Sequence, residues 1–229
     1  MRNFQGKKLE KSNAGMREIR LSGSCLKVIA MTAMVIDHIA LYFVSNGWLY
    51  ESMRGIGRIA FPIFAFLIAE GYRHTHKKWE YGRNLLMFAF ISEIPWMLLH
   101  IDGSHNVVFT LLAGFCCIAI LDQLRSHKAM LILLVLLIAS ATSVFNTDYG
   151  IQGVALILIF YLLRDKLLLQ LLFILPLFYE FHPLGVLASL GMISLYNEER
   201  GFIRGPYSKY LFYAFYPSHL MVIWALLAV

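Results

Sequence analysis

A chain of 229 residues that is 59% hydrophobic and only 15% charged, with mean hydropathy +0.65, is too apolar for an ordinary soluble domain. Its formal charge of +6 is no nucleic-acid footprint, because Lys and Arg are dealt out between apolar runs rather than gathered on one face. Three cysteines, with Cys116 and Cys117 adjacent inside one such run, make no disulfide framework, and the scattered histidines have no metal-ligand spacing.

The chain opens on a basic stretch, residues 1–24, with Arg2, Lys7, Lys8, Lys11, Arg17 and Arg20 among Gly, Ser and Asn, which reads as a cytoplasmic tail. The apolar run that follows is too long for a signal-peptide core and holds an Asp-His pair, so it is a retained first span. Residues 25–229 then form a single transmembrane domain, an all-α polytopic bundle of about nine helices. The candidate spans are roughly 26–44, 57–72, 84–101, 107–121, 129–145, 150–163, 167–179, 184–195 and 208–229, the seventh and eighth short for a perpendicular crossing.

The connections fix an orientation. Arg73, Lys77, Lys78 and Arg83 follow the second span, Arg125 and Lys128 the fourth, Arg164 and Lys166 the sixth, and Arg200, Arg204 and Lys209 the eighth. The alternate connections, around 45–56, 102–106, 146–149 and 180–183, hold only Arg54 among Lys and Arg. That asymmetry predicts an N-terminus inside and a C-terminus outside.

The first span, LKVIAMTAMVIDHIALYFV, carries Asp37 and His38 well inside an apolar run, where ionisable groups are costly and by default functional. Lys27 precedes His38 by eleven residues, almost three whole turns, so the two share a helix face about 16 Å apart along the axis. Glu93 and His219 fall near mid-span, each two residues from a proline, and are expected to reach the level of His38. Arg58 enters the second span from the outer side and is the expected partner of Asp37, as Glu93 is of His38. Glu70, Arg73 and His74 share a face at the inner end of that span, where Glu70 and Arg73 read as a structural pair. Asp148 and Glu180 lie in outer loops, Asp148 also serving as a turn or cap residue, and Arg54 reads as a head-group contact.

The segments LKVIAMTAMVIDHIALYF, RGIGRIAFPIFAFLIAEGYRHT, LLMFAFISEIPW, NVVFTLLAG, DYGIQGVALILIFYLLR and LFYAFYPSHLMVI, in this order, resemble the TraX family of conjugation-associated membrane proteins linked to pilin N-acetylation. That family is similar to the acyltransferase-3 and heparan glucosaminide acetyltransferase types. In the former, a basic residue precedes a catalytic His by the spacing of Lys27 and His38, with Lys here in place of the usual Arg. The resemblance implies a bacterial inner-membrane enzyme that takes acetyl-CoA as co-substrate and needs no metal. It implies catalytic roles for His38, Asp37, Glu93 and Arg58, and donor binding by Lys27, Arg73, His74, Lys77 and Lys78. His219, Asp148 and Glu70 are then acceptor-site or supporting residues. His38 would act as general base or acyl carrier for a pilin, peptide, sugar or lipid acceptor. A proton-coupled transporter and a non-enzymatic assembly factor of a conjugation or secretion system are the competing classes.

Overall fold

Local chemistry sets several helix boundaries in the computed structural model, which describes residues 20–180, 182–203 and 207–228. The basic segment 1–19 and Arg204 lie outside the described residues. Ser22 caps α1 (Gly23–Phe43) by accepting from the Cys25 amide. A short connection leads to α2 (Trp48–Gly57), and a two-residue turn at Arg58 and Ile59 separates it from α3 (Ala60–His74). The path continues through α4 (Lys78–Leu99) and α5 (Val107–Gln123), whose start is capped by Asn106. Next come α6 (Lys128–Val144), α7 (Gly150–Leu162), α8 (Leu167–Leu177) and α9 (Pro183–Ser194), with Pro183 in its first turn, where it forfeits no helical bond. The last is α10 (Ser208–Leu227), with Pro217 inside it.

Helix α2 corrects the expected outer loop at 45–56. Its sequence WLYESMRGIG is amphipathic and weakly apolar overall, so hydropathy passes over it. It packs chiefly on α1. Helix α4 begins six residues before the apolar run does, at Lys78 rather than residue 84, which moves Glu93 from mid-helix toward the far end.

The packing is that of a protein dissolved in lipid. Glu70, Ser92, Asn106, Thr110 and Gln170 are buried, while Leu133, Leu136 and Leu137 of α6 and Leu168 of α8 are exposed. Polar groups inside and aliphatic groups outside suit a solvent without hydrogen bonds. Trp48 and Trp79 are 81% and 83% exposed, at opposite ends of the bundle, where indole rings sit at lipid–water boundaries. Three segments, Gly23–Phe43, Trp48–His74 and Tyr210–Leu227, are long and apolar enough to cross a bilayer, and five shorter apolar helices accompany them. Among the described residues no strand forms. Two isolated bridges tie the ends instead, Leu21 to Tyr196 at one and His105 to Thr147 at the other.

The core runs along α1, α3 and α7, through Leu26, Ala30, Phe61, Ile63, Leu156, Ile157 and Phe160. Helix α10 packs on α4 and only lightly on α1. The space left between α1 and α3 on one side and α4, α5 and α10 on the other is where the cavities open.

Candidate functional site

Two cavities face opposite ends of the bundle. The one at the basic end has a volume of about 590 Å³; Lys27, Glu70, His74, Glu198 and Arg200 line it together with many aromatic and aliphatic side chains. The one at the far end, about 680 Å³, is lined by Asp37, His38, Arg54, Arg58, His100, Asp102, Asp148 and Tyr149. Met34, Phe64, Val107 and Tyr216 line both and form a collar between them. Lys27 and His38 therefore occupy two chambers that meet at four side chains.

Consecutive residues on α1 serve different groups, because neighbours on a helix diverge by about 100°. Asp37 turns to α2, where Arg54 Nη1 donates to its Oδ2 at 2.6 Å, while Arg58 Nη2 stands 3.9 Å from Oδ1. The expected Arg58–Asp37 pairing is thus secondary, and Arg54, read from sequence as a head-group contact, is the principal partner. Arg58 Nη1 donates instead to the Tyr149 hydroxyl at 2.9 Å. Arg58 Nε and Asp37 Oδ1 are buried without a hydrogen-bond partner.

Gly57 makes this packing possible, since a Cβ there would collide with the Asp37 carboxylate. Gly57→Ala is expected to push α2 off α1 and to destabilise by about 1–3 kcal/mol, as overpacking does. A thermal-unfolding midpoint equal to wild type would contradict this.

His38 turns the other way. Its Nδ1 lies 2.9 Å from the Met34 carbonyl and 3.3 Å from His219 Nε2, and the two rings are 4.9 Å apart. His219 Nδ1 in turn lies 3.0 Å from the Phe215 carbonyl. Of the three side chains expected at one level, His38 and His219 meet and Glu93 does not. Glu93 Oε1 pairs with His105 Nδ1 at 2.5 Å and its Oε2 accepts from Asn106 Nδ2 at 2.6 Å. Its displacement follows from the earlier start of α4, which carries it to the connection 100–106.

That connection holds the next loop. The Asp148 amide donates to the His105 carbonyl, and Thr110 Oγ1 donates to the Asp148 carbonyl at 2.5 Å. Tyr149 is fixed at a positive φ of 61° and stacks on Phe61. Asp148 thereby reaches the far cavity with Arg58, Asp37 and Arg54 around it. Burial is the largest influence on its carboxyl and pushes the pKa up to about 6 from 3.8; Arg58 opposes this, and Asp37 reinforces it.

The folded state consequently holds this proton more tightly than the unfolded state does. The resulting stabilisation is complete below about pH 4 and is lost as pH rises through about 6. A rise from 3.8 to about 6 corresponds to a loss of at most about 3 kcal/mol. Asp148→Asn should flatten that part of the stability curve, which unfolding of both proteins at pH 4.5 and 7 would reveal; parallel curves would count against it.

At the basic end, the expected donor-binding cluster is only partly assembled. Lys27 lies over the Phe212 ring at 4.7 Å, and His74 bonds Glu70 at 3.1 Å. Lys77 pairs locally with Glu80 at 2.9 Å and Lys78 with Asp122 at 2.7 Å, and neither lines the cavity. Arg73 donates to the Tyr161 carbonyl and sits 4.0 Å from Glu70, also away from the lining. The closer partner of Glu70 is Arg164, at 2.7 Å, rather than Arg73. Arg200 does line the cavity, and the basic cluster after the eighth candidate span was its only signal in the sequence. No group of three or more metal-ligating side chains occurs among the described residues.

Comparison with known proteins adds a family. The chain matches the TraX protein family over residues 22–227. It is similar to a probable fimbrial assembly protein, FimC of serogroup H1, from Dichelobacter nodosus, at 30% identity over 90% of this chain and 96% of that protein. An uncharacterized protein of Rickettsia prowazekii is 33% identical over 41% of this chain and 35% of its own length. No solved structure matches.

Proposed function

Because the chain belongs to the TraX family, we propose that it is a membrane acyltransferase of pilus assembly, moving an acetyl group from cytosolic acetyl-CoA to an amine or hydroxyl on an acceptor such as a pilin N-terminus. The observation that carries this reading is the pair of cavities meeting at the Met34–Phe64–Val107–Tyr216 collar, with Lys27 on one side and His38 on the other. The chain crosses the bacterial plasma membrane about nine times, with its basic end in the cytosol. A thioester donor made in the cytosol presents its phosphates to Lys27 and Arg200, and its narrow pantetheine arm reaches the collar through the apolar chamber. The acceptor enters the far cavity. The C–N or C–O bond forms as the C–S bond breaks, the acceptor proton goes to His38, and the thiolate leaves toward the cytosolic side. Arg58, with its unpartnered Nε, is placed for the oxyanion. The bilayer, the acyl-CoA and the acceptor are the partners; nucleic acid is not.

The test places the purified protein in lipid with labelled acetyl-CoA and a pilin-derived peptide. Acetylated peptide and free CoA are the expected products. Flux of an unmodified solute with intact donor would replace the enzyme by a transporter, and absence of any donor consumption would leave only the assembly role suggested by the name of the Dichelobacter relative.

A further inference from the structure

The histidine on α10 has a specific chemical relation to the one on α1. In each ring Nδ1 faces the carbonyl four residues earlier, Met34 for His38 and Phe215 for His219. Two lone pairs cannot face each other at 2.9–3.0 Å, so both Nδ1 atoms carry hydrogen. The His219 nitrogen turned toward His38, Nε2, is therefore the unprotonated one, and it lies 3.3 Å from the His38 Nδ1–H. His38 Nε2 is left as the basic nitrogen of that ring. The other polar groups around it are Asp37 and Tyr42 on α1, Arg54 and Arg58 from the α2–α3 side, His100 after α4, and Tyr216 on α10. Asp37 is engaged by Arg54 and Tyr42 by His100. His219 is the one of these whose acceptor nitrogen meets His38 at hydrogen-bond distance.

We propose that His219 is a positioning residue for His38, a neutral acceptor that takes the Nδ1–H bond when His38 becomes cationic. This rests on the reading of His38 as the reacting base. As acceptor N–H or O–H attacks the thioester, His38 Nε2 gains the proton and the ring gains a charge. The shared Nδ1–H then shifts from the Met34 carbonyl toward His219 Nε2, spreading that charge over two rings. The proton is held there until it passes to the departing CoA thiolate, so that acyl acceptor and CoA thiol are the only products. A carboxylate in this place would put a permanent charge inside the bundle; an imidazole supplies the acceptor without one.

The test uses diethyl pyrocarbonate on the whole protein in lipid, with His38 labelling followed by peptide mass spectrometry. Attack by Nε2 on that reagent expels ethyl carbonate and leaves the His38 ring cationic with Nδ1–H toward His219, the same charge as in the proposed step. His219→Phe, which keeps an aromatic ring but no acceptor, should slow His38 labelling at pH 7 about tenfold, the scale of one charge-assisted hydrogen bond. It should lower kcat to a similar extent with the donor KM unchanged. His219→Gln, whose amide oxygen takes the place of Nε2, should recover most of both. Wild-type labelling and turnover in His219→Phe, or a Gln variant no better than Phe, would overturn the proposal. Labelling that depends on His219 in a protein without acyl transfer would sustain the pair while removing the enzymatic reading; transfer that ignores His219 would do the reverse.

Discussion

His38→Ala is expected to lower acyl transfer by a factor of about 10²–10⁴, the contribution of a general base, and by more if His38 carries the acyl group. The protein should still fold. The imidazole already borders a cavity, so its removal enlarges an existing space rather than opening a sealed one. The Met34 carbonyl that it faces keeps its helical bond within α1. Turnover would be read with labelled donor, alongside an unfolding curve to show that the variant is intact. A folded His38→Ala protein with wild-type turnover would end the catalytic assignment.

How much of this was legible beforehand depends on the range of the interaction. The shared face of Lys27 and His38 is a property of one helix, and periodicity alone reads it; both side chains do line the cavities that meet at the collar. The pairing of Asp37 was nearly readable, but the weak hydropathy of WLYESMRGIG concealed α2. Arg54, one helical turn before Arg58, thus went unrecognised as the nearer partner. Glu93 falls nearer the far end than expected for a related reason: the charged residues Lys78, Glu80 and Arg83 mask the start of α4 in the hydropathy pattern. Lys78 looked available for phosphate because its partner, Asp122, lies 44 residues away on another helix. The meeting of His38 and His219 spans 181 residues, and no local signal encodes it.

The second large effect concerns the charges beside His38. Asp37→Asn keeps the side-chain shape that fits under Gly57 but removes the carboxylate from between Arg54 and Arg58. Asp37 and Arg54 are only 16% and 17% exposed, so the guanidinium cannot simply trade its partner for bulk water. Breaking such a pair costs about 3–5 kcal/mol, and because both side chains border a cavity the expectation is about 3. A matched change, Asp37→Asn with Arg54→Gln, replaces the ion pair by an amide pair and should restore most of the unfolding midpoint, because the Arg54 charge is removed together with its partner. Transfer should stay low in the double variant, since Arg58, with Tyr149 its other close polar partner, would lose the carboxylate that faces it at 3.9 Å. If transfer instead returned along with stability, Asp37 would be a structural counter-ion for Arg54, and the orientation of Arg58 would not depend on it.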